Sequence, residues 1–317
     1  MNHIVKRIGI LTGVFAAALC VFFLANNRWN SGQDQAVYMD MEAASLPSIT
    51  VQMLGRDMNR LYGYRQEMNT TAAGENLTIL PEDRALTVDI TGGGVTGISY
   101  EVRSMDRARL VERTEVSDWQ QTQQGIAATL PIQNLLTKER EYQLIIQLDT
   151  ENYGSVYYYT RILWTDSAQH ARDMVDLAAD FSIKTFDYEQ AKSLTTYLET
   201  SPSEDNSTFG HTSIHSSFSQ LTWGKMNMQP EGNVEIRLKE LDGVMCGVQL
   251  SYQAKRQGDG AEETYEVEED FTLKWNELRI YMMQYDRTVN QIFAGDRSEY
   301  SGKRILLGIT QDDRVEL

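Results

Sequence analysis

The chain has 317 residues, 41% of them hydrophobic, and a formal net charge of −16. This apolar content supports the cores of about two domains and excludes a globally disordered protein. So acidic a surface repels phosphate backbones, which argues against nucleic acid as a partner. The two cysteines, Cys20 and Cys246, lie far apart in the sequence, so no disulfide framework is predicted.

An uncharged apolar run occupies residues 8–25, between Lys6-Arg7 and Arg28. Eighteen residues of helix measure about 27 Å, close to the roughly 30 Å hydrocarbon core of a bilayer. We therefore predict a cytoplasmic stub and transmembrane anchor over residues 1–28. The side chains expected to lie in lipid are Ile8, Leu11, Val14, Phe15, Leu19, Val21, Phe22, Phe23 and Leu24.

A cleaved signal peptide is the main rival to this anchor. The small residues Ala16–Ala18 resemble a cleavage site, but the apolar run continues beyond them, which favours an uncleaved anchor. Lys6 and Arg7 outweigh Arg28, which predicts a cytoplasmic N-terminus. The expected location is the cell membrane, crossed once, with the C-terminal region extracytoplasmic.

Residues 29–46 are expected to be a juxtamembrane spacer, and residues 47–165 a first domain. Most of its apolar runs alternate with polar residues, as in strands with one buried face. Their number and spacing predict an antiparallel β-sandwich of immunoglobulin or fibronectin III type. The predicted strands are 48–54, 85–90, 97–103, 109–113, 125–130, 142–148 and 156–162.

The period changes to that of a helix over residues 166–200, which we interpret as a short helical connector. Asp166 with Gln169, and Asp187 with Gln190, each fit a capping box that begins a helix. Apolar residues recur at helical spacing from Ala168 to Ala178.

A second, β-rich α+β domain is predicted over residues 201–317. Strands are expected at 234–238, 248–252, 265–267, 271–275 and 304–309, and a hairpin turn at 257–260. Residues 277–293 fit helical spacing, although their first part also alternates as a strand does. The whole chain is thus predicted to be mainly β with some α, after an N-terminal transmembrane helix.

Two sequence patterns suggest ligand sites. Gly92–Gly97 fits the G-x-G-x-x-G fingerprint, but a strand follows instead of the helix that a dinucleotide needs, so a hairpin turn is predicted. His211 and His215, four residues apart, are weak metal candidates, because a zinc site needs further ligands. No cofactor and no metal are therefore expected.

Cysteine and carboxylate chemistry is equally unsupported. Cys246 lies among apolar residues and is expected to be inert. The acidic run Glu262–Asp270 is expected to be an exposed strand face, with a calcium site as its alternative. Because no catalytic set is assembled, we expect a binding protein more than an enzyme.

The predicted function is that of a membrane-anchored extracytoplasmic protein that acts by binding. Its expected partners are the membrane, through the N-terminal helix, and other envelope proteins, for which it serves as a structural, sensory or regulatory partner. The alternative is a cell-envelope enzyme that acts on glycan or peptidoglycan through paired carboxylates.

Overall fold

The computed structural model describes residues 13–22, 46–68, 74–123, 125–134, 136–256, 263–292, 300–301 and 304–305. Two units are distinguished: Ala44–Ile292, and a smaller one of Met1–Ala43 with Phe293–Leu317. The described part of the first unit is mainly β, with three five-stranded sheets and a few short helices. This agrees with the predicted fold class at that level.

Sheet A has the strand order β2-β1-β4-β8-β7 and is antiparallel throughout. Alternating burial in β1 and β4 follows the alternation of apolar and polar residues in the sequence. The strands are β1 (Ser48–Met53), β2 (Arg56–Tyr62), β4 (Ala85–Thr91), β7 (Trp119–Gln121) and β8 (Gly125–Pro131).

Sheet B has the order β3-β10-β9-β5-β6, in which only the short β3 pairs in parallel, with β10. Tyr64 pairs with the edge of β10, where it exchanges two backbone hydrogen bonds of 2.9 Å with Tyr157. Met68 then packs against Ile145 and Tyr159. The strands are β3 (Leu77–Ile79), β5 (Val95–Ser104), β6 (Leu110–Val116), β9 (Glu141–Thr150) and β10 (Gly154–Leu163).

Sheet C is an antiparallel meander, β12-β13-β14-β15, with the short β11 added beside β15. The ambiguous segment after residue 277 is a strand, because it pairs with β14 from Lys274–Tyr281 to Tyr265–Gln291. The predicted turn at 257–260 lies outside the described residues. The strands are β11 (His211–Ser213), β12 (Met228–Asp242), β13 (Met245–Arg256), β14 (Glu263–Lys274) and β15 (Tyr281–Gln291).

Helix α2 (Ala168–Lys184) packs on sheet C through its apolar stripe, and Phe181 contacts Tyr285 at a ring distance of 4.9 Å. The predicted capping box before α2 is wrong. Asp166 pairs with Lys138 instead, and Ser167 is the N-cap residue without a side-chain bond. At the second box the N-cap is confirmed, since Asp187 accepts hydrogen bonds from two backbone amides before the short α3 (Tyr188–Ala191). The reciprocal half is not formed, because Gln190 donates to the Asp187 carboxylate and the Asp187 amide donates to Lys184. A 3₁₀ helix (Lys192–Tyr197) and α4 (Phe218–Leu221) complete these helices.

One buried apolar cluster contains side chains from all three sheets and from α2. At the junction of the sheets, the side chain of Asn59 on β2 accepts a hydrogen bond of 2.9 Å from the backbone amide of Leu238 on β12. Nearby, Arg60 pairs with Glu235. The edge of sheet C at β12 is therefore joined to the first two sheets by polar contacts as well as by the core.

Residues 13–22 are helical (α1), and their large apolar side chains are exposed. Val14, Phe15, Leu19, Val21 and Phe22 of the predicted anchor lie on it, whereas Ile8, Leu11, Phe23 and Leu24 lie outside the described residues. No helix in the described part of the chain has both the length and the apolarity needed to cross a membrane. Of the last predicted strand only Arg304–Ile305 is described, paired with Tyr300–Ser301.

Candidate functional site

A cleft of about 1120 Å³ opens within the unit Ala44–Ile292. Four groups of residues form its walls: the β1–β2 hairpin, the segment from the end of β3 into β4, helix α2 with Phe186, and strands β12 and β13. Pockets of this size with mostly apolar walls and a few polar groups are typical ligand sites. We therefore take this cleft as the candidate functional site.

The hairpin wall of the cleft contains a strained turn. Leu54 and Gly55 connect β1 to β2, and both have left-handed backbone angles, with φ of 53° and 79°. Two such residues make a type I′ turn, which Asn-Gly fills best and which costs a leucine about 1 kcal/mol. Leu54 lines the cleft and packs on the core, so the strained residue supplies apolar wall.

Two arginines at the rim share one aspartate. Arg56 on β2 donates to Asp176 of α2 at 2.8 Å, whereas the nearest contact between Arg172 and the same carboxylate is 3.9 Å. The Arg172 guanidinium lies over Gly55, where an added Cβ would stand 3.3 Å from Nη2. Glycine at this turn thus leaves space for the arginine as well as permitting the positive φ.

Apolar side chains remain uncovered along the opposite walls. Ile183 of α2 is 50% exposed and Val234 of β12 is 39% exposed, and both line the cleft. Phe186 lies between these walls and the interior, where it stacks on Trp223 with ring centroids 5.3 Å apart. Together they offer an apolar surface beside the arginine rim.

The floor of the cleft carries two hydroxyl groups. Ser182 donates to the hydroxyl of Tyr252 at 3.4 Å, and both residues line the cleft although each is almost fully buried. Burial raises the pKa of Tyr252 well above its ordinary value, and the nearby Glu269 adds to the rise. This hydroxyl is thus a neutral hydrogen-bonding group.

Behind the floor lie two buried ionisable residues, Glu269 on β14 and Arg287 on β15, which are directly opposite in the register. Glu269 accepts a hydrogen bond of 2.8 Å from Tyr285, while its second oxygen has no hydrogen-bond partner in the described part of the chain. Arg287 donates to the backbone oxygens of Gln220 and Leu221, and its guanidinium stacks 3.6 Å from the Trp223 ring. A buried pair of this kind requires such partners, because unpaired charges are costly to bury.

Burial raises the pKa of the Glu269 carboxyl, and the charge of Arg287 offsets only part of that rise. Groups with shifted pKa values close to a cleft are recognised indicators of functional sites. Here the pair lies behind Tyr252 and does not line the cleft. Glu269 and Arg287 therefore support the floor of the cleft from behind. The surface that a ligand can reach is apolar with polar edges.

The structure does not place the two candidate histidines on one strand. His211 begins β11, with Nε2 3.3 Å from Asp286, whereas His215 lies in the turn after β11, with Nδ1 3.0 Å from the backbone oxygen of Glu199. Among the described residues, no group of three or more His, Cys, Asp or Glu side chains is arranged to hold a metal. The described residues therefore provide no third ligand for a metal site at His211 and His215.

Strand β5 follows the glycine-rich motif, as predicted, and Gly92 and Gly94 have positive φ. The predicted hairpin turn is wrong, because β4 before the motif belongs to sheet A and β5 after it belongs to sheet B, so the two strands do not pair. Cys246 is buried, and its pKa is raised to about 12, chiefly by burial, so the thiol stays protonated. The acidic run was predicted wrongly at one position. Glu266 and Glu268 are exposed, but Glu269 is fully buried, because strand alternation turns it to the opposite face.

Comparison of the sequence with models of known protein families gives no match, and comparison with curated proteins gives none. The cleft and its chemistry are thus the basis on which a function is proposed.

Proposed function

We propose that this chain is a membrane-anchored extracytoplasmic protein that acts by binding a segment of a partner protein of the envelope. The supporting observation is the cleft, whose apolar walls around Ile183 and Val234 are open to solvent and bordered by charged side chains. Exposed apolar grooves with polar rims are typical of peptide-binding surfaces.

The catalytic alternative receives less support from the same cleft. A glycosidase needs two carboxylates about 5–10 Å apart. Among the described residues that line the cleft, Asp57 is the one carboxylate. Binding without a chemical step is thus the function that this lining favours.

The first two sheets are proposed to form the immunoglobulin-type sandwich expected from the sequence. Strand orders β1-β4-β8-β7 and β10-β9-β5-β6 correspond to A-B-E-D and G-F-C-C′ of that fold. A second support is Tyr142 near the start of β9, whose hydroxyl accepts a hydrogen bond of 3.1 Å from the backbone of Thr137. Such a tyrosine corner occurs at the same connection in immunoglobulin domains.

The proposed location rests on the apolar run at residues 8–25 and the basic residues before it. Protease added to intact spheroplasts should degrade residues 46–292, while a tag placed before Met1 stays protected. Full protection of these residues would contradict the topology. Degradation of the N-terminal tag in unbroken cells would contradict it too.

The binding role is tested by placing a photoreactive benzoylphenylalanine at Val234, inside the cleft, in cells that contain the native membrane. A matched control carries it at Met283, which is 53% exposed on β15 and does not line the cleft. We expect discrete crosslinked species from Val234 that are absent from Met283. Identical patterns, or no adduct from Val234, would remove the support for a cleft-binding function.

A further inference from the structure

The two arginines at the rim of the cleft differ in how closely they pair with Asp176. Asp176 receives Nε and Nη2 of Arg56 at 2.8 and 2.7 Å and is therefore already paired. Arg172 approaches this carboxylate only to 3.9 Å and donates no hydrogen bond within the described residues. One guanidinium at the cleft thus retains its full donor capacity.

The geometry limits where a ligand group can meet Arg172. Its guanidinium lies beside Gly55 of the hairpin, and the cleft continues along α2 to Ala179 and Ile183, about two and three helical turns further on. A ligand in the cleft therefore meets a cation near the hairpin and aliphatic surface further along. Guanidinium groups favour carboxylates because two parallel N–H donors match two oxygens.

The net charge of the chain, unlike the Arg172 guanidinium, disfavours acidic ligands. With a formal charge of −16, the protein repels strongly acidic segments at long range. A segment with a single carboxylate among uncharged side chains experiences little of this repulsion, and its carboxylate can still bind the Arg172 guanidinium. The rim and the overall charge together select a segment with one acidic residue.

Resting on the proposed function, we infer that the partner segment carries one aspartate or glutamate flanked by aliphatic residues. The carboxylate binds Arg172, and the aliphatic side chains pack on Leu54, Ile183 and Val234. The apolar contact supplies most of the affinity, because it removes aliphatic surface of both partners from water. The half-exposed ion pair contributes up to about 1 kcal/mol, or about fivefold in affinity.

The test uses the full chain in nanodiscs of zwitterionic lipid and three nonapeptide libraries. Each peptide has glycine pairs at both ends and a central glutamate, glutamine or lysine, flanked on each side by two positions drawn from Ala, Val, Leu and Ile. Retained peptides are quantified by mass spectrometry against empty nanodiscs. We expect about fivefold greater retention of the glutamate library than of the glutamine library, and least retention of the lysine library.

Two arginine variants make the test specific. Arg172→Gln should abolish the preference for glutamate, and Arg172→Lys should retain part of it, because the charge remains but the fork geometry is lost. Arg279→Gln is the matched control, since Arg279 is also exposed but lies outside the cleft. It should leave the preference unchanged.

Several outcomes overturn the inference: equal retention of the three libraries, a preference for lysine, or a glutamate preference that survives in Arg172→Gln. Absence of retention above empty nanodiscs also overturns it. If adducts still form at Val234 in that case, the cleft-binding function stands and only the ligand class is wrong. If neither retention nor adducts are found, both fail.

Discussion

Asn59 joins strand β2 to strands β3 and β12 through its side chain. It occupies a β-bulge of β2 with φ of 49°, a left-handed angle that asparagine tolerates better than most residues. Its fully buried amide donates to the backbone oxygen of Leu77 at 2.8 Å and accepts from the amide of Leu238 at 2.9 Å. The side chain thus satisfies backbone groups on β3 and β12 together.

Replacing this amide should destabilise the whole unit. In Asn59→Ala, the amide of Leu238 and the oxygen of Leu77 lose their partners, and each buried unsatisfied group costs about 1–3 kcal/mol. We expect a loss of about 2–4 kcal/mol in the free energy of unfolding, measured with urea. Asn290→Ala, at an exposed position of β15, is the control and should change stability by less than about 0.5 kcal/mol. Similar values for the two variants would contradict the role of Asn59.

Glu269 makes stability depend on pH in a defined direction. Its pKa in the folded state is raised above the ordinary 4.5, chiefly by burial. Between the unfolded and the folded pKa, the folded state therefore binds more protons than the unfolded state. The contribution of this group to stability is present below about pH 4.5 and falls as pH rises towards the folded pKa.

The variant Glu269→Gln removes this titration while keeping the side chain's shape. We expect the unfolding free energy of the wild type, minus that of the variant, to be smaller at pH 8 than at pH 5. Other titrating groups cancel in this difference. A difference that grows with pH would show that ionised Glu269 is favoured by folding.

At the scale of elements, backbone strain and side-chain packing at Leu54 in the β1–β2 turn should have opposite effects on stability. Leu54→Asn relieves a left-handed leucine, worth about 1 kcal/mol, and loses a partly buried side chain of similar value. Its stability should stay within about 1 kcal/mol of the wild type. Leu54→Ala loses the packing without the relief, so it should be less stable than Leu54→Asn by about 1 kcal/mol, as measured by urea unfolding. Equal stability of the two variants would exclude strain at this turn.

The long strands could be predicted from sequence because their alternation is regular. Val88 and Ile90 of β4, for example, are buried between exposed or half-buried neighbours. Strands β9 and β10 were predicted as well, although each contains consecutive buried residues that interrupt the period of two. Strand β2 was not predicted: its bulge at Asn59 breaks the period of two. Strands β3 and β7 have three residues each, too few to show any period.

The candidate site was not predicted, and its construction explains why. Arg56, Arg172 and Val234 come from three distant parts of the sequence and meet only after the sheets pack. Glu269 was hidden in an acidic run, although the alternation of Val267, Glu269 and Phe271 on one strand face was a signal that it points inward. The Leu54-Gly55 pair between two strands was a further signal, since a turn there needs positive φ.

At the scale of the whole molecule, the continuous core of the unit Ala44–Ile292 determines whether its three sheets unfold together or separately. Side chains of sheets A and B share one apolar cluster with α2 and sheet C, and Asn59 and Arg60 connect β2 to β12 across the junction. The boundaries predicted from sequence, 47–165 and 201–317 for two domains and 166–200 for a helical connector, stay a prediction. Whether these regions unfold separately is a different question. The shared core implies that the three sheets of this unit fold together.

Hydrogen exchange can test this cooperativity directly. The slowest amides of β9, in sheet B, and of β14, in sheet C, should exchange only through global unfolding, so their opening free energies should agree and fall equally with urea. Asn59→Ala, which weakens the junction, should lower both by the same amount, whereas independent sheets would respond differently. Exchange of β14 at a urea concentration that leaves β9 protected would therefore contradict a single folding unit. The cleft would then separate two parts that unfold independently, and its width would depend on their docking instead of on one continuous core.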